Sequence, residues 1–321
     1  MDIDIFNGDA DGIAALQQLR LAEPRAALLL SGVKRDIRLL DRVVARPDHA
    51  GARLTVLDVS MATNKEPLRL LLAAGCQVFY VDHHHAGEIP GHSGLTCHLD
   101  EDPEICTGLI VNRLQAGRFP GWAVVAAFGD NLHQPAARLG RQAGFSAREM
   151  AALCELGELF NYNGYGKEVA DLHFDPVELF QAVRPYQDPL RFYAESNTLA
   201  TLRQGFHDDM ARARAVLPEA QQEQGRIYIF PGQAWARRTA GVLSNERARE
   251  EPTRAHALLV ADGMGGYVVS VRAPLARKKG AVDLCRAFPS GGGRAAAAGI
   301  NQLPVDRVEE FMAAFFAAFK G

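Results

Sequence analysis

The sequence predicts a two-domain α/β protein: an N-terminal parallel sheet with flanking helices, then a smaller C-terminal α/β domain. Three observations predict it. In about the first 85 residues, short apolar runs alternate with segments of helical spacing, and βα units of that length close through right-handed crossovers into a covered parallel sheet. The chain is 321 residues long, more than one compact core usually holds. Beyond a polar, Gln/Glu-rich stretch at Pro218–Gly225, a fresh set of strand and helix signals begins.

Taken in order, the strand Asp2–Phe6 leads to a helix over Gly12–Ala22, where Ile13, Leu16 and Leu19 share one face. A strand at Ala26–Leu30, a helix at Asp36–Ala45, a strand at Leu54–Leu57, a helix at Leu68–Ala74 and a strand at Cys76–Val81 follow. From Thr107 to about Val216 the spacing is mainly helical, as in Trp122–Phe128 and Ala147–Phe160, broken by a Gly/Asn/Tyr-rich loop at Asn161–Gly166. The C-terminal part reads as a strand Arg226–Phe230, a helix Arg237–Arg249, and a hairpin of Ala255–Ala261 with Tyr267–Arg272 turning through Asp262–Gly266. The last helix, Val305–Phe319, carries Val308, Phe311, Met312, Phe315 and Phe319 as a core-facing stripe. The expected bounds are 1–195 for the first domain, 196–224 for a linker and 225–321 for the second.

Composition narrows the function classes. Hydrophobic residues at 48% and charged residues at 23% are those of a water-soluble globular chain. No run of 18 apolar residues occurs, so no membrane helix is expected. The acidic, strand-like start does not read as a secretory leader, which points to the cytoplasm. Five scattered cysteines with no C-x-x-C spacing predict free thiols rather than a structural zinc. A net charge of −3 gives no general attraction to a polyanion, so long duplex DNA is not expected as a partner.

The chemistry concentrates where apolar runs end. Phe6 leads into Asn7-Gly8-Asp9-Ala10-Asp11-Gly12, Leu57 into Asp58, and Val81 into Asp82-His83-His84. Side chains at strand C-termini line the rim where open α/β sheets bind ligands. Alone, Asp9-x-Asp11 is also a turn and Asp58 a helix cap. A carboxylate beside two imidazoles after a buried strand is harder to assign to structure, because burying it unpaired is costly. Oxygen ligands mixed with imidazole suit Mn²⁺ or a similar divalent ion better than a thiolate-seeking metal. His85 falls out of line and reads as surface. Asp130, in Ala126-Ala127-Phe128-Gly129-Asp130, ends an apolar helix and is either a cap or a further ligand.

Taken together, Asp9-x-Asp11, Asp58, Asp82-His83-His84, Gly129-Asp130 and the C-terminal Ser290-Gly291-Gly292-Gly293-Arg294 resemble, in order, the motifs of the DHH phosphoesterase superfamily. That superfamily includes RecJ-type exonucleases, oligoribonucleases, cyclic-dinucleotide phosphodiesterases and family II pyrophosphatases. The resemblance covers the whole chain and implies a DHH catalytic domain followed by a DHH-associated substrate-binding domain. It implies that Asp9, Asp11, Asp58, His83 and Asp130 bind two Mn²⁺ ions, with Mg²⁺ or Co²⁺ as substitutes, and that Asp58 and Asp130 bridge them. By the same resemblance Asp82 and His84 orient ligands or contact phosphate, while Arg272, Gly291, Gly292, Gly293 and Arg294 bind substrate. The implied activity is hydrolysis of phosphoester bonds in a nucleotide or short single-stranded oligonucleotide, with a homodimer compatible. Three positions depart from the pattern. Ile5 stands where pyrophosphatase-type members carry histidine, Asn7 where RecJ-type members often carry an acid, and Arg294 where the glycine signature usually ends in histidine. The first two weaken one metal position and remove support from a pyrophosphatase reading; the alternatives are a polyphosphate or pyrophosphate hydrolase and a non-catalytic nucleotide or phosphate binder, which Ile5 and Arg294 favour. Arg294 can bind phosphate bidentately but cannot titrate near neutrality.

Overall fold

The computed structural model describes residues 1–320, which form two compact units divided between Gln204 and Gly205. The N-terminal unit is built on five parallel strands, β1 (Asp2–Phe6), β2 (Leu28–Leu30), β3 (Arg53–Leu57), β4 (Gln77–Asp82) and β5 (Leu95–Leu99), in the order β2-β1-β3-β4-β5. Their alternate residues Ile3, Ile5, Leu54, Val56, Val78 and Tyr80 pack with Leu39, Leu40, Val43, Leu68, Leu71 and Leu72 of helices Leu39–Val44 and Lys65–Ala73. The helix Ala10–Ala22 is buried from Ala10 to Arg20, which explains why its sequence is apolar around much of its circumference. Arg20 is paired inside this core: it donates to both oxygens of Asp4, at 2.6 and 2.7 Å, and to Thr55 Oγ1 at 2.9 Å.

The strand order reverses after β2, so the chain leaves β1 for one side and returns on the other beside β3. That reversal opens a crevice at the C-terminal ends of β1 and β3, where open α/β sheets bind ligands. Register then levels the strand ends: Phe6 pairs with Leu57 and Leu57 with Val81. The ladder continues one step, with Asn7 N–H donating to Leu57 O and Asp58 N–H to Val81 O. The residues that follow each strand therefore emerge side by side.

Three expectations differ from the structure. The residues 161–164 of the expected loop are the last turn of a helix, Ala147–Gly164. Asn163 holds that turn by donating to Phe174 O and accepting from the His173 and Phe174 N–H groups. Gly164 fits closely there: a Cβ would lie 3.2 Å from that of Asp9 and 3.1 Å from Gly8 O. Strand β5 is absent from the sequence-based expectation. It is a half-exposed edge whose Thr96, Cys97 and His98 dilute the apolar signal. Most of the expected linker, 196–224, is ordered structure: a helix Asn197–Arg214, then a strand β6 (Ala220–Gln222). Polar residues hide both, since the helix is rich in Arg, Gln and Asp and the strand is Ala-Gln-Gln.

In the C-terminal unit, β6 continues into β7 (Gly225–Phe230), β8 (Ala255–Ala261), β9 (Gly266–Arg272), β10 (Gly291–Gly293) and β11 (Ala297–Pro304). They form one sheet, β10-β11-β9-β8-β7-β6, in which only β7 and β8 run parallel. Phe311, Phe315 and Phe319 pack on one face with Ile227, Leu259, Val269 and Ile300. All five cysteines are free. Among the described residues, no helix is long and apolar enough to cross a membrane.

Candidate metal centre

The first two carboxylates are fixed by the start of the helix Ala10–Ala22. Asp9 is its N-cap, and its Oδ1 accepts from the N–H groups of Asp11 and Gly12, both at 3.1 Å. Asp11, in the first turn, is fully buried. Its two oxygens accept from Thr107 N–H at 2.8 Å and Gly108 N–H at 2.7 Å, which open the helix Thr107–Leu114, so a helix N-terminus faces this anion. Asp58 follows β3 in the left-handed region, φ +58°, a conformation that costs free energy in a non-glycine residue and that aspartate tolerates better than most. Its Oδ1 accepts from Thr107 Oγ1 at 3.4 Å.

His83 and His84 follow Asp82, the last residue of β4. His83 Nε2 lies 3.3 Å from Asp130 Oδ2, 3.4 Å from Asp58 Oδ1 and 4.0 Å from Asp11 Oδ2. His84 Nδ1 meets Asp82 Oδ1 at 2.7 Å and lies 3.8 Å from Asp58 Oδ1. Asp130 is the C-cap of the buried helix Pro120–Gly129, so its capping role and its place at the rim coincide. His85 is exposed beside Glu101.

Three neighbours are not singled out by the sequence. Lys34, four residues beyond β2, sends Nζ to Asp9 Oδ2 at 2.5 Å, to Asn161 Oδ1 at 2.9 Å and to Asp130 Oδ1 at 3.4 Å. Thr107 contributes through its backbone and hydroxyl, and Asn161 from the helix read as a loop. The strand-end logic used for Asp58 finds Lys34 once β2 is extended by its loop. Tyr162 and His173 hydrogen-bond each other at 2.7 Å, and Tyr162 is buried.

This cluster is electrostatically costly without a cation. Burial, followed by the charge of Asp130, raises Asp11 to about 6. Burial, with Asp9, Asp11, Asp130 and Asp82 adding to it, holds Asp58 well above the usual carboxylate range. Burial would raise Asp9 too, but Lys34 outweighs it and keeps Asp9 low. Burial likewise opposes charge on Lys34 and His84; Asp9 and Asp130 keep the ammonium charged, and the bond to Asp82 raises His84.

The donor set fits a divalent ion. Ligand atoms about 2.1 Å from one octahedral ion lie about 3–4.2 Å from each other. Asp11, His83 and Asp130 can each offer an atom within 4.8 Å of the others, as can Asp58, His83 and His84. The His83 separations of 3.3, 3.4 and 4.0 Å fall in that range. Among the described residues, Asp82 Oδ2 and Asn7 Oδ1 are buried without a hydrogen-bond partner.

A pH dependence follows. Asp11 titrates near ~3.9 in the unfolded chain and about 6 in the folded, metal-free protein. Between these values the folded state binds more protons, so stability falls as pH rises, by about 2–3 kcal/mol in total from this group. Melting in EDTA should drop from about pH 4.5 to 7, and the gain on adding Mn²⁺ should widen over the same interval. An Mn²⁺ gain that is equal at both ends would show that Asp11 is not held above the usual carboxylate range.

The C-terminal candidates gather at one corner of the second sheet. Arg272 ends β9 and pairs in register with Ala297, whose carbonyl accepts from Arg294 N–H at 2.8 Å. Gly291–Gly293 form β10, an edge strand, and Arg294 sits exposed at the tip of the β10–β11 hairpin. Gly293 has φ +134°, and a Cβ there would come within 2.5 Å of Ala298 Cα, so the hairpin requires glycine. Arg272 Nε donates to Asn245 Oδ1 at 2.7 Å.

Comparison with known proteins bears on the fold. No protein-family model matches the sequence, and no curated protein matches it. Solved structures do. A DHH-domain protein described as a member of a family of ribosomal proteins aligns with a TM-score of 0.69 at 12% identity, over 98% of this chain and 85% of that one. An exonuclease RecJ bound to manganese aligns with a TM-score of 0.64 at 19% identity, over 100% and 90%. A pGpG-specific phosphodiesterase from Vibrio cholerae gives 0.54 at 14% identity, over 99% and 98%.

Proposed function

From the premise that this chain has the fold of the DHH phosphoesterase superfamily, we propose that it is a metal-dependent phosphoesterase acting on nucleotides or very short oligonucleotides. The observation that carries this reading is the meeting of Asp11, His83 and Asp130, and of Asp58, His83 and His84, each trio with its ligand atoms close enough together to hold a cation, at the C-terminal ends of β1 and β3. Two structural neighbours support the reaction class: one is an exonuclease RecJ bound to manganese, the other a pGpG-specific phosphodiesterase. Near-neutral charge favours short substrates over long strands.

A divalent cation in this centre would supply Lewis-acid stabilisation of phosphoryl charge and a stronger water nucleophile at neutral pH. The protein's residues do the rest. Thr107 and Gly108 hold Asp11, and Thr107 Oγ1 holds Asp58, so the carboxylates are set before substrate arrives. Asp82 binds Nδ1 of His84, which directs the other ring nitrogen of this half-exposed residue to a phosphoryl oxygen. Ile5 is fully buried in the sheet and cannot act as a ligand, which disfavours a pyrophosphatase-type centre.

The test is a screen of EDTA-stripped protein resupplied with Mn²⁺, Mg²⁺, Co²⁺ or Ca²⁺, against mononucleotides, dinucleotides, a generic phosphodiester and polyphosphate. Turnover of nucleotide esters with Mn²⁺ above Ca²⁺ is expected. Turnover of polyphosphate alone would reassign the substrate, and metal binding without turnover would make the protein a binder. In the C-terminal unit, Arg294 grips substrate phosphate. Arg294→Ala should raise KM about tenfold to a hundredfold, as expected for losing a hydrogen bond to a charged group. An unchanged kcat/KM on every substrate would show that Arg294 does not bind substrate.

A further inference from the structure

We propose that this centre takes one divalent cation, held by the trio Asp11, His83 and Asp130 with Asp58 beside His83, and that the Lys34 ammonium is the second positive charge, standing beside Asp9. The inference rests on the metal-dependent reading above and adds its stoichiometry and a further phosphate-facing residue.

Lys34 is held as a bound cation would be. Its three hydrogens meet three side-chain oxygens, on Asp9 at 2.5 Å, Asn161 at 2.9 Å and Asp130 at 3.4 Å. Its backbone is held as well: Lys34 N–H donates to Gly164 O at 2.8 Å, Asn7 Nδ2 donates to Lys34 O at 3.5 Å, and Nζ lies 5.8 Å from the centroid of the Tyr165 ring. The place is therefore built by three separate segments of the N-terminal unit, at residues 7–9, 130 and 161–165.

Both oxygens of Asp9 already accept hydrogen bonds while Lys34 stays. Oδ1 caps the helix through Asp11 N–H and Gly12 N–H, and Oδ2 holds the ammonium. Neither of the neighbouring positions on the β1 side offers a replacement carboxylate. Ile5 is buried in the sheet, and Asn7 is a neutral amide already turned to the Lys34 carbonyl. The other four side chains are placed differently: Asp11, Asp58 and Asp130 surround His83 Nε2 at 3.3–4.0 Å, and Lys34 reaches only Asp130 among them, by its longest contact. That contact is the one a substrate phosphoryl oxygen can exchange with, giving a charge-assisted bond from a permanent cation.

The experiment counts manganese on the full-length protein, by equilibrium dialysis against Mn²⁺ with elemental analysis and by electron paramagnetic resonance. Wild type should bind one Mn²⁺ per chain with the six-line spectrum of an isolated ion. Two ions, or an exchange-coupled pair, in wild type would overturn the inference and leave the phosphoesterase reading standing. No bound ion would overturn that reading itself, and the inference with it. Lys34→Met combined with Asn7→Asp frees Asp9 and supplies the missing acid, so this variant should bind two ions and show coupling. If it melts as wild type does and still binds one, Lys34 is not what excludes the second ion. Should it fail to fold, Lys34→Gln with Asn7→Asp keeps a hydrogen-bond donor without the charge, and the same count decides.

Discussion

Asp58→Asn is expected to lower kcat/KM by at least about 10³-fold, or ~4 kcal/mol of transition-state stabilisation, while leaving the metal-free protein as stable as wild type or more so. The two effects separate because Asp58 serves the site at the expense of the fold. It is buried, it sits 3.4 Å from His83 Nε2, and burial with four neighbouring carboxylates pushes its own carboxyl well above the usual range. Asparagine removes that charge and still accepts from Thr107 Oγ1. It also tolerates φ +58°, which alanine does less well. Asp58→Ala would therefore mix a backbone cost of about 1 kcal/mol or more into the result. Melting in EDTA and in Mn²⁺ checks the structural half: the Mn²⁺ gain should vanish in Asp58→Asn while the EDTA value holds or rises. Undiminished turnover in purified Asp58→Asn would end the metal-centre proposal.

How the site reads from sequence depends on what each residue follows. Asp58 and Asp82 are conspicuous because buried parallel strands are near-continuous apolar runs, Arg-Leu-Thr-Val-Leu and Gln-Val-Phe-Tyr-Val, and a charge directly after such a run stands out. Asp9 and Asp11 are legible as a helix start after β1. Lys34 is not, because β2 has only three residues and its loop intervenes before the lysine. Asn161 is missed because Asn-Tyr-Asn-Gly reads as a turn, while tertiary bonds to Asn163 keep it helical. Thr107 acts largely through a backbone N–H, which no side-chain pattern announces. In the second unit the apolar strands β7, β8 and β9 are legible, but β6 is a polar edge paired by backbone alone, and composition cannot distinguish it from a linker.

Arg20→Ala is expected to destabilise the N-terminal unit by about 3–5 kcal/mol, because it leaves Asp4 charged, buried and unpaired. Arg20 joins β1, β3 and the helix Ala10–Ala22 by its two bonds to Asp4 and one to Thr55, and β1 with that helix carries Asp9 and Asp11 to the rim. Both partners are almost wholly enclosed, with side-chain exposures of 6% and 2%, so water cannot replace the lost guanidinium. Replacing the whole group is a different matter. Arg20→Met with Asp4→Leu and Thr55→Val removes the charges and the hydroxyl together, and exchanging a buried ion pair for packed apolar side chains is often neutral or stabilising. The triple variant should recover most of what Arg20→Ala loses. Urea unfolding followed by Trp122, which lies buried in this unit, reads the difference once Trp235 is changed to Phe. If Arg20→Ala unfolds at the wild-type midpoint, Asp4 is satisfied by another route and the pair contributes nothing to the fold. If instead the triple variant is as unstable as Arg20→Ala, the loss comes from packing around the long arginine stem rather than from the stranded charge.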